Sequence, residues 1–157
     1  MSRYRISVEI DAPRAHVYDL FIDLTRMREW VGGVTSVTDV VGTPDQAGST
    51  YVVHFGPMKS RTEVLLAERP TVFRTKFGTF LLRGESEAYF EDIQGRTRVV
   101  QDFEVKGIVP RIAARIFASG SYQGSFQGEL NAFKAIAERE WSGDRGLGGG
   151  STTVEGG

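Results

Sequence analysis

PRIAARIFASGSYQGSFQGELNAFKAIAEREW, residues 110–141, is the stretch around which the chain is organised. Pro110 sits easily at a first helical position, and Ser142-Gly143 can close the helix. A rod of this length reaches roughly 45 Å, long for a small domain. Its inward stripe is Ile112, Ile116, Ser119, Gln123, Phe126, Leu130, Phe133 and Ala137, alternating steps of four and three, the spacing of one helix face. The ends of the stripe are apolar and its middle is polar. Buried polar groups need partners, so either the stripe faces a partly polar cavity, or Ser119 and Gln123 bond neighbouring backbone.

The rest of the chain supplies what such a helix must cover. Tyr4, Ile6, Val8 and Ile10 alternate with Arg3, Arg5, Ser7 and Glu9, the pattern of a half-buried strand. Asp11-Ala12-Pro13 ends it, with Asp11 as a candidate cap and Pro13 suited to a first turn. A short helix is predicted from Arg14 to Ile22, and a second, capped by Thr25, through Trp30 and Val31 to the break at Gly32-Gly33. Strands follow at 34–41, 49–55, 58–68, 71–77, 80–90 and 97–106, separated by short glycine, proline and aspartate loops. Short loops between strands imply an antiparallel meander with one wet face, and one long amphipathic helix must cover the other. The expected architecture is α+β: a seven-stranded antiparallel sheet wrapped around a long C-terminal helix, with two short helices after the first strand. Residues 1–142 form one domain, and 143–157 read as a disordered glycine-rich tail.

Composition narrows the function. With 157 residues the chain can bury a substantial core. A formal charge of −1 gives no electrostatic case for nucleic acid or an anionic membrane. The absence of cysteine excludes disulfides, thiolate catalysis and thiolate metal sites. Two separated histidines, His16 and His54, argue against a metal site, and no cofactor motif is present. His16 reads as exposed and His54 as lying on the wet face. No signal region and no apolar run of membrane-spanning length occur. The expectation is a soluble, cytoplasmic chain with no membrane insertion.

The opening Ser7-Val8-Glu9-Ile10-Asp11-Ala12-Pro13, then Val17-Tyr18-Asp19-Leu20, Asp23, Trp30, Val34 and Val37 carry a resemblance. This order resembles the helix-grip fold of the START and birch-pollen-allergen (SRPBCC) superfamily, in its polyketide cyclase/dehydrase-like branch, over residues 3 to about 141. The resemblance implies a cavity between sheet and long helix that holds an apolar or amphipathic small molecule. Members include lipid and quinone carriers, hormone binders and aromatase/cyclases.

Strand parity and the helix stripe name the cavity-facing set. Its polar members are Tyr51, Ser60, Thr62, Thr75, Ser86, Gln101, Ser119 and Gln123. Its apolar members include Val53, Phe55, Phe73, Phe77, Leu82, Phe90, Phe103, Phe126 and Leu130, with Trp30 plugging one end of the sheet. An aromatic and aliphatic lining with a few neutral hydrogen-bonding groups matches ligand sites in general. A solid core whose hydroxyls satisfy backbone groups is the competing reading.

Charge argues against evident acid–base catalysis. Arg61, Arg74, Arg83 and Arg98 fall opposite the cavity face, as do Glu63, Glu85, Glu87, Asp102 and Glu104. Only Arg115 lies near the inward stripe, about 40° from its centre at 100° per residue. There it fixes a carboxylate or enolate, or snorkels to water. Asp19 and Asp23 read as a solvated helix face. Catalytic residues are therefore not assigned.

Gly120, Gly124 and Gly128 form a separate row, each costing on the order of 1 kcal/mol relative to alanine in a helix interior. Close approach of a second chain, as in a homodimer, or of a long loop would use them; a soft, kinked helix is the alternative. The function that follows is binding, as carriage or sequestration, of a hydrophobic or aromatic small molecule. An aromatase/cyclase acting on a polyketide through Arg115, Tyr51, Gln101 and Gln123 is the enzyme alternative, and a quinone-carrier-like interaction module is the third.

Overall fold

The computed structural model of the chain describes residues 2–79, 82–107 and 122–150. Strand β1 (Ser2–Ile10) leads into helix α1 (Arg14–Phe21) and a 3₁₀ turn over Leu24–Glu29. Strands β2 (Ser36–Val41), β3 (Thr50–Phe55), β4 (Met58–Glu68), β5 (Val72–Gly78), β6 (Leu82–Ile93) and β7 (Arg96–Gly107) follow, then helix α2 (Tyr122–Gly150). The sheet is seven-stranded, in the order β1-β7-β6-β5-β4-β3-β2. Each pair is antiparallel. This is the α+β helix-grip architecture.

Turn chemistry sets the register. Phe55 pairs with Met58 across Gly56-Pro57, and Gly56 takes φ +61°. A positive φ at the first central residue followed by proline suits a tight hairpin. Ile93 pairs with Arg96 across Gln94-Gly95, both at positive φ, and Asp92 Oδ1 accepts from the Gly95 N–H at 3.1 Å. Because side chains alternate with period two, one set points inward along β1 and β3 to β7, while β2 at the edge buries none of its residues.

The inward set is buried: Ile6, Ile10, Tyr51, Val53, Ser60, Thr62, Val64, Phe73, Thr75, Ser86, Ala88, Phe90, Val99 and Gln101. The outward set carries the charge. Arg5 grips Asp102 through two bonds of 2.7 and 2.9 Å, Arg74 reaches Glu85 at 3.0 Å, and Arg98 reaches Glu9 at 2.9 Å. Such exposed pairs contribute about 0–1 kcal/mol each; their main effect is to keep this face wet.

Helix α2 buries Leu130, Phe133, Ile136 and Ala137. Polar contacts fix its position along its length. The Gly32 N–H donates to Glu129 Oε1 at 3.1 Å, and Gln127 Nε2 donates to the Ser7 carbonyl at 3.1 Å. The Asp11 N–H donates to Glu138 Oε2 at 2.8 Å, and Arg26 binds Glu29 and Glu140 together. The Gln127 bond engages β1, one edge of the sheet. The other edge, β2, is interrupted by a register shift between Thr38 and Val41, with Asp39 at φ +53°. A bulge of this kind discourages edge-to-edge pairing.

Several sequence expectations change. Asp23, not Thr25, caps the 3₁₀ turn, its Oδ1 accepting from the Thr25 N–H at 3.0 Å. Asp11 does not cap α1; Pro13 holds that position without a side-chain bond. His16 is half-buried rather than exposed, with Nε2 3.1 Å from the Ala137 carbonyl and its ring 5.5 Å from that of Trp141. Asp19 does lie on a solvated helix face, where Arg69 pairs with it at 2.7 and 2.8 Å and holds its carboxyl below the usual range. Helix α2 continues through Ser142-Gly143 to Gly150, beyond the expected stop; glycine lowers helix propensity by about 1 kcal/mol without forbidding the conformation. Residues 151–157 and the expected helix start at Pro110 lie outside the described residues.

Candidate functional site: the inner face of the sheet

The inner face divides along its strands. At one end Tyr18, Phe21, Phe73, Phe90 and Phe133 pack edge to face, with ring centroids 5.1–6.3 Å apart. Trp30 lies against Phe21 and Phe133 at 5.2 and 4.9 Å. Tyr18, Phe90 and Phe133 are fully buried. Each such side chain contributes about 1.5–3 kcal/mol of burial, and the rings leave this end filled. Trp30 Nε1 is enclosed with no partner, the one side-chain polar atom in that state among the described residues.

The other end is lined differently. Register sets Tyr51 opposite Thr62, Val53 opposite Ser60, Val64 opposite Thr75, and Thr75 opposite Ser86. A row of neutral polar groups thus crosses β3 to β6 and reaches Gln101 on β7. Gln101 Nε2 donates to Ser86 Oγ at 3.0 Å, so these two satisfy each other. The hydroxyls of Tyr51, Ser60, Thr62 and Thr75 make no side-chain hydrogen bond with any described residue, though all belong to buried residues. Nor are their oxygens enclosed as Trp30 Nε1 is. Burial pushes the Tyr51 phenol well above its usual range, so it stays a neutral donor.

Other buried hydroxyls behave otherwise. Thr97 Oγ1 donates to the Ala12 carbonyl at 2.7 Å, and Ser49 Oγ bonds the carbonyls of Thr43 and Gln46. Backbone satisfaction, the ordinary fate of a buried hydroxyl, accounts for Thr97 and Ser49 but not for the row.

The rim is aromatic. Phe103 stacks on Phe126 at 4.1 Å with planes 9° apart, and Tyr4 meets Phe126 edge-on at 6.2 Å. Phe55, Phe77 and Leu82 are half-buried. Gly84 is obligatory beneath Phe77, because a Cβ there would fall 2.6 Å from Cζ of that ring and 2.8 Å from the Glu104 carbonyl.

Of the residues expected at the site, Trp30, Tyr51, Phe55, Phe73, Leu82, Ser86, Gln101, Phe103 and Phe126 are placed. Phe73 and Trp30 belong to the filled end, and the others named here to the row or its rim. Arg115, Ser119 and the side chain of Gln123 lie outside the described residues, as does Gly120. Gly124 and Gly128 are exposed. A Cβ on Gly128 would meet nothing within 4 Å, so no described loop of this chain uses that position for close approach.

One group escapes the stripe analysis. Glu129 sits just before Leu130 on α2, half-buried, and among the described residues accepts only the Gly32 N–H. Burial, offset in part by that bond, raises its carboxyl to about 7. Gly33 follows Gly32 directly, and a Cβ there would lie 3.6 Å from Phe55 Cδ1. Glu129 thus stands where α2, the Gly32-Gly33 bend and the end of β3 meet. The signal available in sequence is an acid beside the best-buried leucine of the helix, facing a Gly-Gly bend elsewhere in the chain.

Two surface grooves flank this face, and the larger reaches its rim at Tyr4 and Phe103. One of about 420 Å³ crosses the outer side near Arg5, Arg74, Glu85, Glu87 and Asp102. Another, of about 240 Å³, lies between the 3₁₀ turn and β2, lined by Leu24, Arg28, Val34, Val37 and Val40. Among the described residues no acid and histidine cluster could hold a metal ion, and no helix is long and apolar enough to cross a membrane.

A single antiparallel sheet packed on a long helix, with an inner face part filled and part hydroxyl-lined, defines the helix-grip class of folds. The chain belongs to the family described as polyketide cyclase/dehydrase and lipid transport, whose model matches residues 1–138. Solved structures share the fold. A protein from Thermus thermophilus aligns with TM-score 0.65 and 21% identity, covering 87% of this chain and 97% of that one. Norcoclaurine synthase from Thalictrum flavum aligns with TM-score 0.62 and 8% identity, covering 86% and 85%. DynU16, a protein of the dynemicin biosynthetic locus, aligns with TM-score 0.66 and 16% identity, covering 88% of this chain and 48% of that one. Identities at this level speak for fold alone. No curated protein matches the sequence.

Proposed function

We propose that this protein binds an apolar or aromatic small molecule between the inner face of the sheet and the long helix, to carry or sequester it. The observation that carries this reading is the row of Tyr51, Ser60, Thr62 and Thr75 hydroxyls, buried with the core yet bonded to no described side chain or backbone group. Their oxygens are not enclosed as Trp30 Nε1 is, so the row is open to a partner from outside the fold. A ligand with carbonyl or hydroxyl groups would satisfy the row, while Phe55, Phe77, Phe103 and Phe126 would cover its apolar surface. The family description, which joins lipid transport to polyketide chemistry, supports the same class of ligand.

The test uses N-phenyl-1-naphthylamine, an apolar probe whose fluorescence rises on leaving water. The wild-type protein should take it up. Leu82→Arg, which sets a cation at a half-buried rim position, should abolish uptake with the fold intact by circular dichroism. Unchanged uptake in the folded variant would remove the inner face as the site.

Turnover of a polyketide is a second reading, favoured by the family description and by Glu129, whose carboxyl near neutrality can give or take a proton. Conversion of an aromatic polyketide mimic, lost in Glu129→Gln, separates an enzyme from a carrier.

A further inference from the structure

We propose that Glu129 is the counter-ion for a ligand bearing a basic nitrogen, so that the molecule held at the inner face is an apolar amine rather than a neutral or acidic compound. The inference rests on the binding reading above and adds the charge of the ligand to it.

Glu129 has no cationic partner among the described residues. Its contact is the Gly32 N–H at 3.1 Å, a single neutral donor for a group that accepts several bonds when ionised. Of the two arginines on the 3₁₀ turn, Arg26 is committed to Glu29 and Glu140 together, and Arg28 is exposed and makes no ion pair with Glu129. The arginines that face the sheet's outer side hold acids there: Arg5 with Asp102, Arg74 with Glu85, Arg98 with Glu9. The carboxyl is accordingly held near neutrality by burial with nothing but one backbone dipole to oppose it.

Its neighbours favour a cation. The polar groups of the inner face are neutral: Tyr51, Ser60, Thr62, Thr75, Ser86 and Gln101. No lysine or arginine is among the buried residues of that face, and the arginines that share a groove with Tyr4 and Phe103 are paired with acids, Arg3 with Glu104, Arg5 with Asp102 and Arg74 with Glu85. Phe126 lies on α2 one turn before Glu129 on the same side, and Phe55 abuts the adjacent Gly33. A carboxylate one helical turn from Phe126, bonded to the bend that Phe55 abuts, can pair with an ammonium group that such rings would cover. A ligand carboxylate would instead meet like charge in a poorly hydrated place.

The Gly32 bond also provides a clean variant. Glu129→Gln keeps an oxygen to accept the Gly32 N–H and removes only the charge. The experiment compares dansylcadaverine, a primary amine on an apolar fluorophore, with its neutral N-acetyl derivative at pH 8. The wild-type protein should bind the amine roughly tenfold more tightly than the acetyl derivative. In Glu129→Gln the two should agree within about twofold, with the acetyl derivative bound as in wild type. Equal affinities in the wild-type protein would overturn the amine assignment while leaving the binding site in place. A preference that survives Glu129→Gln would overturn it equally. If neither compound nor N-phenyl-1-naphthylamine binds, the binding reading itself fails and this inference with it. Should the variant not fold, the wild-type comparison stands alone, sharpened by salt, which should weaken the amine and spare the acetyl derivative.

Discussion

At the Phe73–Phe90 end of the sheet, inner side chains meet α1 and α2 ring against ring; at the Tyr51–Thr75 end they present hydroxyls that nothing described satisfies. Both ends use the same strands, and Phe73 is followed by Thr75 on the inner face of β5. The difference is in residue type alone. One end stabilises the fold through apolar burial, and the other, in the proposed reading, presents its polar groups to a ligand.

Breaking the filled end should have the largest effect. Phe133→Ala removes a fully buried ring that touches Phe21 and Trp30. It should cost about 3–5 kcal/mol, read as a drop in urea midpoint. A loss below about 1 kcal/mol would show that this end is not the stabilising one.

The charged rim should respond to pH. The Glu129 carboxyl is raised to about 7 in the folded protein, above its ordinary value near 4.5. Its contribution to stability is therefore fully present below about pH 4.5 and is lost as pH rises through 7. Because the side chain is half-exposed, solvent reduces the effect to on the order of 1 kcal/mol. Glu129→Gln should flatten the fall in stability between about pH 5 and 8 seen by urea unfolding. An unchanged slope would mean that other groups set it.

The smallest effect belongs to the glycine row. Gly128→Ala meets open space, so it should stabilise α2 by up to about 1 kcal/mol through helix propensity. A fall in oligomeric mass by sedimentation with the same variant would instead reveal a second copy packed there.

The sheet is legible in the sequence because its signals are local. Period-two alternation places Tyr51, Thr62, Thr75, Ser86 and Gln101 on one face, and the three-and-four spacing places Leu130, Phe133 and Ala137 on another; all of these are buried. What the sequence hides depends on residues far apart in the chain. Gly32 and Glu129 meet only because the 3₁₀ bend crosses α2, and no spacing rule connects them. His16 reads as exposed for the same reason, since its partner is the Ala137 carbonyl on the last helix. Asp23 replaces Thr25 as a cap because either residue fits the position, and only backbone geometry separates the two. The choice between a filled core and a hydroxyl-lined one also lies beyond sequence, because parity says where a hydroxyl points and not what it bonds.

The most direct measurement compares two threonines. Thr97 and Thr75 are both buried, but Thr97 donates to the Ala12 carbonyl at 2.7 Å while Thr75 Oγ1 bonds no described group. Thr97→Val should cost about 1–2 kcal/mol in urea unfolding, whereas Thr75→Val should leave stability equal or higher and weaken ligand uptake. A Thr75→Val loss as large as that of Thr97→Val would place its hydroxyl within the structural bonding of the core and contradict a ligand-facing inner surface.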